Sequence, residues 1–486
     1  MKNEDENELG MYINDVSSDI LSKKSKNISN KTKLILGITA SIIIIIAIII
    51  IIIILSNKKN NNEDDKINPE KVTGEILCKY YIEAISNEIN LLGNEFLLDP
   101  KMDIYINDKK IKISKSFKFL SLGEYKIQFI FYNNKINLDN MFKNISTIIS
   151  VEMKSNKNAM ITSLKSTFEN CQNLNTFSMI GFNTDEILST KKLFFNSGLS
   201  EIDISDLNLN NIEDMSFMFA STEIKSLNLS KINSSKVKDI SYMFYNMPSI
   251  TEIDLSNFDT NKVENMSHLF DSCESLNNIN LKNINTEKVI DMSSMFKNCF
   301  SLQEIDLSNF ITNEVIDMSY MFDNCGSLIS INLSNFETDK VQNMSGMFYY
   351  CNKLNNLDIS NFNTINVKDM SNMFYLCHSL IQLNISHFDT KNVQDMSFMF
   401  YSCNSLQILN VSNFITNNVK NMSSMFSECN SLNLIDVLNF DTSSVIDLSF
   451  MFEGCYSVSP LYVENFRTDK VVNMSGMFKD CKLISS

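Results

Sequence analysis

Ser301-Leu-Gln-Glu-Ile-Asp-Leu-Ser-Asn-Phe-Ile-Thr-Asn-Glu-Val-Ile-Asp-Met-Ser-Tyr-Met-Phe-Asp-Asn-Cys325 is one turn of a text that returns every 26 residues. Its cysteine recurs at Cys273, Cys299, Cys325, Cys351, Cys377, Cys403, Cys429, Cys455 and Cys481. Phenylalanine keeps the same beat from further upstream, at Phe142, Phe168, Phe194, Phe219, Phe244, Phe270, Phe296 and on to Phe478. The two steps of 25 residues, ending at Phe219 and Phe244, fall where Ser197-Gly198-Leu199 and Ser221-Thr222-Glu223-Ile224 have lost a residue. A unit this short cannot bury its own apolar face, so successive units must stack as a solenoid.

Each unit reads in two halves. Leu302, Ile305 and Leu307 follow the pattern of a short strand, and Ser308-Asn309-Phe310 turns the chain. Val315, Met318, Met321, Phe322 and Cys325 then follow at spacings of a short amphipathic helix. Asp317 and its equivalents, among them Asn265, Asp291, Asn343 and Asp369, are Asp or Asn, the residues that cap helices. The expected fold is α/β: a solenoid of about 14 coils over 137–486, with stacked parallel strands on one face and short helices on the other.

The text Asn-Met-Ser-Ser-Met-Phe, x-x-Cys-x-Ser-Leu, x-x-Ile-Asp-Leu-Ser-Asn-Phe-x-Thr-x-x-Val resembles the BspA-like leucine-rich-repeat surface proteins of bacteria and protists, across 137–486. That resemblance implies a leucine-rich-repeat solenoid, cell-surface display, and adhesion to or binding of host or matrix proteins. Many relatives carry secretion signals, lipid anchors or a C-terminal membrane segment, and this chain departs from them.

Leu34 to Leu55 holds no charge and is dominated by isoleucine. As a helix its 22 residues span about 33 Å, enough for a bilayer core. A cleaved signal peptide is the other reading, but an h-region is shorter and a small-residue site should follow it. Lys23, Lys24, Lys26, Lys31 and Lys33 flank the segment before it, against Lys58, Lys59 and Lys66 after it. Positive charge favours the cytoplasmic side. The expectation is therefore a signal anchor in the plasma membrane, single-pass, with a cytoplasmic disordered tail (1–33) and extracellular repeats.

A polar linker (56–75) follows, then a small α/β cap (76–136). Within it, Ile82, Ile85, Ile89 and Leu92 have helical spacing over 76–98. Ile104-Tyr105-Ile106 and Ile111-Lys112-Ile113 flank Asn107-Asp108-Lys109-Lys110 as a hairpin, and 125–131 alternates as a strand.

Net charge is −15 and the lysines look scattered, with no basic stripe, so nucleic acid is an unfavourable partner. Stacking brings equivalent cysteines within disulfide reach, yet the upstream equivalent is Met247, which cannot pair, and no Cys-x-x-Cys spacing for zinc occurs. A column of buried free thiols and a partly disulfide-linked one both remain open. Cys78 and Cys171 lie outside the regular row. Corner asparagines from Asn257 to Asn465, with His387 substituting once, read as a buried amide ladder, and the threonines from Thr260 to Thr468 as turn-bonding hydroxyls.

The candidate ligand-binding face is the row Asp254, Asn280, Asp306, Asn332, Asp358, Asn384, Asn410 and Asp436, which alternation places outside the sheet. No two aspartates adjoin in it. It reads as a solvated polar stripe, as a face for a cationic or glycan partner, or, with little oxygen convergence, as a calcium site. His268, His378 and His387 occupy three different phases of the repeat and form no group. No catalytic, cofactor or metal motif is present. The sequence thus points to a non-enzymatic surface protein that binds an extracellular protein or glycan. The alternative is a self-associating coat protein, pairing through the uncapped C-terminal coil.

Overall fold

The computed structural model describes residues 45–46, 67–85, 88–204, 207, 209–229 and 232–481. Of the expected membrane segment only Ile45 and Ile46 are described, and both are helical; the rest of it, the tail and most of the linker lie outside the described residues. Among the described residues no helix is long and apolar enough to cross a membrane. The chain divides into two units, Met1–Pro69 and Glu70–Ser486. The second is a solenoid with an N-terminal cap.

The cap is β-structure, not α/β. Its strands are β1 (Gly74–Ile82), β2 (Ile89–Asn90), β3 (Met102–Ile106), β4 (Lys109–Ile111), β5 (Ser116–Phe117) and β6 (Gly123–Phe131). Where a helix was expected over 76–98, the described residues form β1, the short β2 and turns. Ile76, Cys78, Tyr80 and Ile82 are buried with their neighbours more exposed, a period of two that the spacing of Ile82 to Leu92 obscured. The hairpin is confirmed with a tighter turn. Ile106 pairs with Lys109, leaving only Asn107 and Asp108 between the strands, both at positive φ.

After β6 the chain enters the solenoid through β7 (Lys135–Asn137), β8 (Ile148–Lys154), β9 (Met160–Ser163) and β10 (Thr176–Ile180). One sheet joins cap and coils in the order β10-β8-β1-β6-β3-β4. β10 lies parallel to β8, as stacked coils must, whereas β1 lies antiparallel to β8. The cap therefore covers the strand edge that the first coil would otherwise expose.

Side chains at equivalent positions form columns. The phenylalanine rings stack from Phe142 to Phe478, neighbouring centroids 5.5–6.3 Å apart. The cysteines of the column are free and, except for half-buried Cys481, fully enclosed. Each thiol donates to the carbonyl of the phenylalanine 29 residues earlier, as Cys325 does to Phe296 at 3.0 Å and Cys351 to Phe322 at 3.2 Å. Cys171 makes the same bond to Phe142, so it belongs to the column after all. Burial pushes the thiols of Cys273, Cys377 and Cys429 up to about 12. A thiol reagent at pH 8 is therefore expected to leave the interior column of the native protein unlabelled, to modify Cys481, and to reach the rest after denaturation. Stoichiometric labelling of the folded chain would contradict this column.

The side expected to be helical is instead a row of overlapping turns. Two residues four apart in each coil take positive φ, as Ser294 (55°) and Asn298 (57°) do, or Tyr320 (55°) and Asn324 (61°). A left-handed residue at that interval stops a helix from propagating, although Met318, Met321, Phe322 and Cys325 still point inward and are buried. Within a coil, Met295, Lys297 and Cys299 donate to the carbonyls three residues back. Between coils, Met292, Ser294, Phe296 and Asn298 donate to Asp317, Ser319, Met321 and Asp323 at 2.7–3.0 Å, all in the same direction. Asp291 does cap its neighbour, but by accepting from the Ser293 N–H at 2.8 Å, which makes a side-chain turn and not a helix start.

This turn side also carries the continuous ladder. Parallel bridges run without a break from Ser189 through Asp214, Asp239 and Asn265 to Asn473. On the face expected to be the sheet, three pairs of short strands form from Glu252 onward among the described residues: 252–254 with 278–280, 304–306 with 330–332, and 382–383 with 408–409. Two further columns differ from expectation. The threonines bridge coils: Thr286 donates to the Ile311 carbonyl at 2.7 Å and accepts from its N–H at 2.8 Å. The corner asparagines are largely exposed, yet their amides do satisfy turn carbonyls of the preceding coil, as Asn361 does with Leu333 and Phe336.

Candidate functional site

The expected ligand row is a row in space. Asp254, Asn280, Asp306, Asn332, Asp358, Asn384 and Asn410 are exposed and Asp436 is half-buried. Asp254 faces Asn280, and Asp306 faces Asn332, in the paired strands. Every one of these side chains also turns back on its own chain. Asp254, Asp306 and Asp358 accept from the N–H of Ser256, Ser308 and Ser360 at 2.8–3.0 Å. Asn280, Asn332, Asn384, Asn410 and Asp436 accept from the N–H two residues ahead at 3.1–3.4 Å. Hydrogen bonds from Ser256 and Ser308 hold the Asp254 and Asp306 carboxyls below the usual carboxylate range, and Ser360 does so for Asp358. The Oδ1 of each residue thus closes a turn, which leaves the second carboxylate oxygen of the aspartates and the Nδ2 of the asparagines for other partners. Beside this row, Gln303, Glu304, Asn355, Asn356, Ile381, Gln382 and Tyr462 are exposed and change from coil to coil.

The histidines are dispersed, as their phases required. His268 Nδ1 meets Asp271 at 2.7 Å, His378 Nδ1 meets the Ser402 carbonyl, and His387 Nε2 takes the corner-asparagine role against the Ile359 carbonyl. Among the described residues no group of three or more His, Cys, Asp or Glu could hold a metal.

A second surface was missed in the sequence. The residues on either side of each inward valine of the ladder face outward. Lys236 and Lys238 flank Val237, and Lys262, Lys288, Lys340, Lys368, Lys420 and Lys470 occupy the same two rows further along; all are exposed. Against these eight lysines the rows hold Glu213, Glu264 and Glu314. The stripe absent from the linear reading is therefore present, because residues 26 or 28 apart become neighbours. Two of its lysines are paired, Lys238 with Glu213 at 2.8 Å and Lys340 with Glu314 at 2.6 Å. Along the middle of the stripe runs a shallow groove of about 460 Å³, lined by Ile316, Lys340, Gln342, Asn366, Lys368, Asn392 and Gln394. The signal for it was available: a lysine or an amide beside the invariant valine.

Comparison with curated proteins gives no match. Among solved structures, the crystal structure of a TLR13–ssRNA13 complex is 13% identical with a TM-score of 0.17, covering 71% of this chain and 63% of that one. A protein-family model matches at 136–252, 243–330, 300–407, 326–433 and 405–486, overlapping windows that take in the whole array. With most of its length so matched, the chain belongs to the family described as Mycoplasma protein of unknown function, DUF285.

Proposed function

We propose that this chain is a leucine-rich-repeat surface protein of the BspA-like kind, held by one N-terminal membrane span (34–55) with its repeats outside the cell, and that it binds an extracellular protein or glycan without catalysis. The observation that supports this reading is the division of labour in each coil. Buried Val, Met, Phe and Cys columns hold the backbone in one register, while exposed strand positions such as Gln303-Glu304, Asn355-Asn356 and Ile381-Gln382 vary freely. A rigid frame with variable exposed side chains is how solenoids present binding surfaces. Anchoring and orientation rest on the uncharged segment and its lysine-rich N-side flank.

Protease treatment of intact cells tests the topology. Expected is loss of the repeats while a tag on residues 1–33 stays protected. Protection of the repeats until the cells are permeabilised would overturn surface display.

A further inference from the structure

The ladder groove pairs two kinds of group in fixed rows. In one row Asn366, Asn392 and Asn418 donate Nδ2 to the carbonyls of Asp339, Ile365 and Lys391 at 2.6–2.7 Å. That bond locks each amide and leaves its Oδ1 as an acceptor. In the parallel row Lys368 donates to Gln342 Oε1 at 2.7 Å, leaving the Gln342 Nε2 hydrogens as donors beside the ammonium. Gln394 and Lys420 continue this row. The backbone beneath is already paired, Lys368 N with the Gln342 carbonyl and Gln394 N with that of Lys368, so only side chains remain to bind a ligand. Carboxylates do lie nearby. Asp369 and Asp395, next along the chain, direct Oδ1 into their own turns, against the N–H of Ser371 and Ser397 at 2.8 Å. The outward layer is therefore ammonium and amide, apart from Glu314 at one end, which Lys340 holds at 2.6 Å.

We propose that this groove binds a linear acidic polysaccharide lying along the stack of coils. Coils repeat at about 4.8 Å, close to the advance of one sugar ring in an extended glycan chain. Hydroxyl hydrogens of the polymer meet the Asn Oδ1 row, and its carboxylate or sulfate groups meet Lys340, Lys368 and Lys420. Nucleic acid fits less well: the two rows carry no aromatic ring for base stacking and no arginine fork for phosphate. The inference rests on the chain being a binding protein, but not on its anchor or topology.

The full chain in neutral detergent is titrated by calorimetry with polygalacturonate, with fully methyl-esterified polygalacturonate, and with polyadenylate. Expected is saturable binding to the first alone. It should weaken as salt rises, and at least tenfold in K340Q/K368Q/K420Q. These lysines are exposed, so an unchanged circular dichroism spectrum shows that the variant is folded. The variant D254N/D306N/D358N, altered on the other row, is expected to bind as the parent does. No binding to polygalacturonate, equal binding to the ester or to polyadenylate, or indifference to the lysine substitutions overturns the groove. Loss only in the aspartate variant overturns it too, while leaving the strand-row reading of the proposed function standing.

Discussion

Phe348→Ala is expected to remove about 3–5 kcal/mol, the cost of emptying a fully enclosed aromatic site. Phe348 is 0% exposed and stacks between Phe322 and Phe374, with centroids 5.7 and 5.8 Å away. Alanine leaves a void that neither neighbour can fill, because each is held by its own turn and by its own partner in the column. In a solenoid each coil is stabilised by its two neighbours, so the lesion also uncouples the halves on either side of it. Urea unfolding followed by circular dichroism should change from one transition to two, the first at lower denaturant. Tyr350→Ala, two residues on at an exposed position, serves as the control. A loss at Phe348 no larger than at Tyr350 would mean that the ring column is not the core.

Gly93→Ala is expected to cost about 1–3 kcal/mol and to loosen the cap. Gly93 donates its N–H to the Met141 carbonyl at 2.7 Å, where the cap meets the first coil. A Cβ there would lie 2.2 Å from the Asn140 carbonyl oxygen and 3.2 Å from Lys143 N and O. These are backbone atoms, so the clash cannot be relieved by a rotamer change. The strand β8 edge and Phe142 both depend on the cap for cover. Limited proteolysis should therefore cut the variant between 83 and 101 faster than the parent, with a lower midpoint of thermal unfolding. Gly326→Ala is the matched control, since its nearest neighbour is Asn352 Oδ1 at 3.6 Å. Equal behaviour of the two variants would show that the cap does not seat on this contact.

The columns were legible in the text because stacking turns a period into a line of touching atoms. Phe142 to Phe478, the cysteines and the threonines all required nothing more than counting. The conformation of the Met-Ser-x-Met-Phe-x-x-Cys segment was not legible. Its inward positions fit a helix and the observed turns equally well, and what separates them is the sign of φ at the x positions. Those positions hold Ser294 and Asn298, which tolerate positive φ, but also Tyr320, Phe398 and Phe450, which seldom adopt it. Hydrogen bonds to the next coil, such as Tyr320 N to the Ser345 carbonyl at 2.8 Å, hold them there, and no local preference reports such a bond. The cap helix failed for a related reason. Residues 76–82 alternate as a strand between two partners in a mixed sheet, and the helical spacing of Ile82 to Leu92 belongs to the segment after it. The candidate row of Asp254 to Asp436 was placed correctly as outward-facing, but its turn-closing bonds could not be foreseen. The lysine stripe was overlooked because charges were weighed along the chain and not across coils.

On the turn side four N–H groups of a coil point to the next coil and one points back, and this imbalance has an electrical result. In ordinary sheets strand dipoles nearly cancel. Here Met292, Ser294, Phe296 and Asn298 point the same way, and their equivalents repeat it coil after coil. Ile290 N, which donates to the Glu264 carbonyl, and its equivalents oppose them, so the peptide moments add only in part along the stack, with the surplus positive toward Cys481. Two such stacks lying side by side would accordingly favour antiparallel over parallel alignment, a polarity that comes from the backbone and not from ionised side chains.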